Sequence, residues 1–166
     1  MPAYVLDSNF FIQAHRALYP LDIAVGFWSK IKELAETGHI ISIDKVRDEL
    51  YGHNDMLENW CKESLPYDFF RSSTEAYANY SEVVSWAVSN KDHYFQRAID
   101  DFLDAGRADA FLVAYALYDS DNRILVTQEV SNPIQKKSIK IPEPCNYFGV
   151  RYMNMIEMFR ELGVTF

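Results

Sequence analysis

Basic residues are in short supply in this chain: 16 Lys and Arg stand against 24 Asp and Glu, a formal net charge of −8. That balance excludes broad electrostatic capture of nucleic acid, which draws on a surplus of cations. Only local groups remain as candidates for touching phosphate, namely Lys45, Arg47, Arg107 and the run Gln135-Lys136-Lys137-Ser138. Cysteine is scarce as well. Cys61 and Cys145 fall in no C-x-x-C or other zinc spacing, and the four histidines, at 15, 39, 53 and 93, show no paired zinc spacing either. Both thiols read as reduced packing residues. No apolar run approaches the roughly 20 residues needed to cross a bilayer. The start of the chain lacks the basic-then-apolar order of a signal peptide, so a cytoplasmic location without membrane partners is expected. Internal repeats, low-complexity tracts and convincing linkers are absent.

What is present is core material. Of 166 residues, 49% are hydrophobic and 15% aromatic, which predicts one domain over residues 1–166. Tyr4, Val5 and Leu6 read as a short buried strand, and the segment from Phe10 to Leu18 opens a helix or a second strand. Residues 25 to 38 place Phe27, Ile31 and Leu34 at helical spacing with Gly38 as the stop. A strand over 39–44 follows, closed by Asp44 as a cap for the helix after it. The middle is helical over 55–63, 74–88 and 92–104, with Ser64 to Ser73 as a connector. A helix from 107 to 118 is apolar almost all round, as befits burial against a sheet. Strands at 123–127, 137–142 and 150–153 precede a final helix. Strands separated by helices predict an α/β fold with a parallel sheet covered on both faces.

In open parallel sheets, ligands bind outside the carboxyl ends of the strands. Asp7 ends the first strand, Glu49 lies about one helical turn past the second, and Glu129 lies just past the strand at 123–127. Asp109 opens the buried helix that leads into that strand. In the helix after the second strand, Val46 and Leu50 mark the inward face. Glu49 borders it and Asp48 points away. Each acid has an ordinary explanation by itself: Asp-Ser-Asn is good N-cap chemistry, Asp109 complements a helix dipole, and Glu49 and Glu129 suit a solvated surface. Four carboxylates gathered at one edge would repel one another unless a cation neutralised them. All-oxygen ligation by hard carboxylates points to Mg²⁺ or Mn²⁺.

The motifs D-S-N after strand one, V-x-x-E-L after strand two, A-D-A-x-L-x-A-x-A-L as a buried helix and L-V-T-x-E on the next strand resemble the PIN nuclease domain, in that order. The ending from Ile141 to Gly163 also resembles a PIN-like branch first catalogued as a domain of unknown function. The resemblance implies a PIN-like three-layer α/β/α sandwich and a Mg²⁺- or Mn²⁺-dependent endoribonuclease. Hydrolysis would proceed by metal-activated water, leaving a 5′ phosphate and a 3′ hydroxyl. For many bacterial members it also implies the toxin role in a toxin-antitoxin pair, with a cognate antitoxin as partner and a homodimer left open. Carried onto this chain, the metal and catalytic acids are Asp7, Glu49, Asp109 and Glu129, supported by Ser8, Asn9 and Thr127. Lys45, Arg47, Arg107, Lys136 and Lys137 are the candidates for RNA contact. Glu129 departs from the pattern, which commonly has Asp there, and Asp104 and Asp121 stand as alternatives. Two rival expectations are a housekeeping PIN nuclease in RNA processing or DNA metabolism and a PIN-like binding protein without chemistry.

Overall fold

Tyr4, Val5 and Leu6 are all buried, because the strand they belong to, β1 (Ala3–Leu6), has a partner on each side and a layer of helices on each face. The computed structural model describes residues 2–166. Its sheet has five strands in the order β3-β2-β1-β4-β5, adding β2 (Ile40–Ile43), β3 (Phe70–Arg71), β4 (Arg123–Val126) and β5 (Tyr152–Met153). Every pairing is parallel, with Tyr4 opposite Ile40 and Val5 opposite Leu125. Parallel neighbours need long crossovers, and helices supply them.

The first crossover runs through α1 (Ser8–Gln13), a π-helical turn over Ala14–Leu18, and α2 (Val25–Glu36). Gly38 adopts φ 78° just past α2, the left-handed stop expected of it. The next passes through α3 (Asp44–Leu50) and α4 (Met56–Ser64) to β3. Then α5 (Tyr77–Ser89), α6 (Gln96–Phe102) and α7 (Asp109–Tyr118) return the chain to β4. Finally α8 (Pro142–Phe148) leads to β5, and α9 (Met155–Leu162) ends the fold.

Aromatic contacts define the two outer layers. Trp28 of α2 meets Trp60 of α4, and Phe27 of α2 meets Phe159 of α9. On the other face Tyr80 of α5 stacks on Phe111 of α7 at 4.2 Å, and Trp86 of α5 meets Tyr147 of α8. The chain is therefore a three-layer α/β/α sandwich with a central parallel sheet. Seven of the ten residues of α7 are buried, Ala110 to Ala116 without a break. No helix among the described residues is long and apolar enough to cross a membrane.

Three expectations need correction. Residues 137–142 form no strand, despite the alternation in K-S-I-K-I: β5 already occupies that side of β4, with Leu125 N–H donating to Arg151 and Thr127 N–H to Met153. Ile139 and Ile141 are still buried, so the alternation reports an in-out pattern without a ladder. The segment Ser64 to Ser73, expected as a connector, contains the edge strand β3, paired through Ser42 and Phe70. Asp44 is the first residue of α3 rather than its cap, and its carboxylate accepts only from the next amide, Lys45 N–H.

Candidate metal-carboxylate site

Strand order changes direction at β1, since β2 lies on one side and β4 on the other. Such a switch point leaves a crevice outside the carboxyl ends of the strands. Asp7 stands there, directly after β1. Its Oδ1 accepts from Phe10 N–H at 2.8 Å, so it does cap α1. Its Oδ2 is buried and has no hydrogen-bond partner among the described residues. With the residue only 3% exposed, burial pushes the Asp7 carboxyl up to about 7. The Thr127 hydroxyl and the Phe10 amide offset part of that rise, and the charges of Asp109 and Glu129 add to it. A helix cap uses one oxygen and leaves the second over, on a carboxyl that the charges of Asp109 and Glu129 reach.

Helical phase places Glu49 as expected. Asp48 is exposed and pairs with Arg47, whereas Glu49 is half-buried and turned to the site. Its Oε2 accepts from the Ser8 hydroxyl at 3.1 Å and its Oε1 from Ala108 N–H at 2.6 Å. Burial raises its pKa, the Ala108 bond opposes that, and the charge of Asp109 raises it further. Asp109 opens α7 right after the amide that Glu49 holds. Its carboxyl is also pushed up by burial, against the pull of Arg107 and Lys140.

Glu129 follows β4 by three residues. Its own N–H donates to Thr127 Oγ1 at 3.1 Å, a tight turn that brings the side chain back toward the sheet. Burial raises Glu129, and Asp109 raises it again, while Lys140 lowers it. Asp109 is thus the common neighbour, since its charge acts on Asp7, Glu49 and Glu129 alike.

Two cations stand among the acids: Arg107 Nη2 lies 3.6 Å from Asp109 Oδ2, and Lys140 Nζ lies 3.5 Å from Glu129 Oε2. These four residues, with Ser138, line a cavity of about 60 Å³. Among the described residues no group of three or more His, Cys, Asp or Glu is arranged to hold a metal ion as it stands. Arg107 and Lys140 offset part of the repulsion among these carboxylates. The donor set itself fits a hard divalent ion. It offers carboxylate oxygens, one of them buried and unpartnered among the described residues, and carboxyls whose pKa values are raised by burial first and, for Asp7 and Glu129, by neighbouring negative charge after it.

Other residues picked from the sequence fall less centrally. Ser8 and Thr127 are buried at the site, and Asn9 is half-buried beside them. The Lys45 ammonium sits over the Phe111 ring at 4.7 Å. Arg47 lines a separate cavity with Tyr51 and Tyr67. Lys136 and Lys137 are exposed on the loop after Glu129. Asp104 is exposed and closes a turn by accepting from Gly106 N–H. Asp121 is exposed in the turn that enters β4 at its amino end, the wrong edge of the sheet. Ser138, the end of the run picked for phosphate contact, lines the cavity, whereas sequence reasoning missed Lys140. The available clue was that Lys140 lies between two inward isoleucines and so had to face the opposite way.

No curated protein and no solved structure matches the chain. A family model does: the one described as Domain of unknown function (DUF4411) matches residues 4–166, a span that includes every carboxylate of the site, and the chain belongs to that family.

Proposed function

We propose that this protein is a divalent-metal-dependent endoribonuclease, with Asp7, Glu49, Asp109 and Glu129 as the ligands of Mg²⁺ or Mn²⁺. The observation that carries the reading is the buried Oδ2 of Asp7, unpartnered among the described residues, on a carboxyl that feels the charges of Asp109 and Glu129 at the switch point of the sheet. A protein gains nothing in stability from such an arrangement, because each buried acid raises the cost of ionising the next. A divalent ion bound there would polarise a phosphodiester and supply a more acidic water. The chain's own residues hold the geometry: Ser8 and the Ala108 amide orient Glu49, and the Phe10 amide orients Asp7. The choice of RNA as substrate, and of a toxin opposed by an antitoxin protein as the biological role, rests on the resemblance to PIN nuclease domains.

The ion pairs of Arg107 and Lys140 favour a second reading, a binding protein whose acids are neutralised internally. Purified protein incubated with total RNA separates the two. Cleavage that is lost in EDTA and restored by Mg²⁺ or Mn²⁺, with Zn²⁺ a poor substitute, supports the nuclease. Cleavage that is equal in EDTA, or absent with every metal, refutes it.

A further inference from the structure

Lys140 is held in an unusual way. Ile139 and Ile141 on either side of it are 5% and 1% exposed, and Lys140 O accepts from Glu143 N–H at the start of α8, so the backbone at this point is anchored. The side chain is not: it is 43% exposed and reaches Glu129 at 3.5 Å. That distance exceeds an ordinary N–H···O bond, and the contact is an electrostatic one that a long flexible side chain can leave at little cost. Arg107 stands in the same relation to Asp109, 51% exposed and 3.6 Å away. Both cations line one small cavity with these two acids, Asp101 and Ser138, so any group entering it meets an ammonium, a guanidinium and a hydroxyl beside three carboxylates.

We propose that Lys140 is the exchangeable counter-ion of this site: it neutralises Glu129 while no divalent ion is bound, and grips an RNA phosphate once a cation has taken the carboxylates. The inference rests on the nuclease reading and adds to it a phosphate seat formed by Lys140 with Arg107 and Ser138. Electrostatic repulsion makes the two roles exclusive. A divalent ion on Glu129 repels the ammonium at short range, and the nearest compensating charge in a bound substrate is a non-bridging phosphate oxygen. Lys140 is a substrate-binding residue in this account.

Two measurements on full-length Lys140→Met, neither of them turnover, test the exchange. Mn²⁺ affinity, read by electron paramagnetic resonance or calorimetry, should become severalfold tighter than in the wild type, because no tethered cation has to be displaced. Affinity for a short 2′-O-methyl RNA oligomer in saturating Mn²⁺ should weaken. The slope of log affinity against log salt should become shallower by about 0.7, the loss of one phosphate contact to a single strand. Lys140→Arg should restore the slope. Met at an exposed position should not prevent folding, and Lys140→Gln serves as a second neutral variant. Unchanged or weaker Mn²⁺ affinity in both neutral variants, or an unchanged salt slope, overturns the inference while leaving the nuclease reading intact. A wild type that binds no Mn²⁺ at all overturns both.

Discussion

The amide of Ala108 donates to Glu49 Oε1 at 2.6 Å across 59 residues of chain, and this one bond docks the start of α7 against the end of α3. It places Asp109, the next residue, beside Glu49. Removing the acceptor should therefore do more than delete a charge. Glu49→Ala leaves the Ala108 amide without its partner at a buried position, a cost of about 1–3 kcal/mol. Glu49→Gln keeps an oxygen acceptor. Thermal melts should show the Ala variant destabilised and the Gln variant near the wild type, while RNA cleavage falls by orders of magnitude in both. A Gln variant with full activity would remove Glu49 from the ligand set.

Asp7 contributes to the pH response of the metal-free protein. Its carboxyl is raised from 3.8 to about 7 by burial first and neighbouring acids after. A raised folded pKa contributes stability that is complete below the unfolded value and lost as pH rises through the folded one. In EDTA the wild type should lose stability between about pH 4 and pH 7, by at most on the order of 4 kcal/mol from this residue. Asp7→Asn keeps the cap on Phe10 and should flatten that part of the curve, making the variant as stable as the wild type or more so at pH 7.5. A less stable Asn variant in EDTA at that pH would contradict the account.

Metal should reverse the same strain. Mn²⁺ should raise the wild-type melting temperature, corresponding to about 2.7 kcal/mol at a hundredfold excess over the dissociation constant. Asp7→Asn and Asp109→Asn should respond much less. An unchanged wild-type melt across a wide Mn²⁺ titration would leave Asp7 as a helix cap only.

Glu58 gives the opposite pH slope. Lys62 holds its carboxyl well below the usual range, at about 2, helped by the backbone amides of Asn54, Gly52 and His53 and opposed by burial. Its folded pKa is depressed, so its contribution is present above the ordinary glutamate value and lost as pH falls from about 4 toward 2. Glu58→Gln should lower the melting temperature at pH 7 and narrow the gap between pH 7 and pH 3. Because this carboxylate ties the turn after α3 to α4, an equal loss at both pH values would mean that its charge is irrelevant there.

If the toxin role is right, expression of the wild type alone should arrest growth and Asp7→Asn should be tolerated, scored by colony counts after induction. Growth arrest by both would detach toxicity from the carboxylate site. A harmless wild type with demonstrated nuclease activity would favour a housekeeping enzyme.

Local pattern was enough to locate β1, β2 and β4, the buried helix α7 and the seam at Asp7, because apolar runs and helical spacing are properties of neighbouring residues. It was enough to prefer Glu49 to Asp48, since Val46 and Leu50 define a face without reference to the rest of the fold. It could not tell that K-S-I-K-I lacks a partner strand. Pairing depends on which edge of β4 is free, and β5, a dozen residues further on, takes it. Nor could it find β3, whose two residues are a strand only because Ser42 and Ile43 lie alongside. The same limit governs the site. That acids follow strand ends is written in the chain, but that Asp109 is the shared neighbour of the other three, that Asp7 keeps a bare oxygen, and that Lys140 returns to Glu129 were decided by the order of strands in the sheet. Burial and charge coupling act through space, between residues that only the packed sheet brings together.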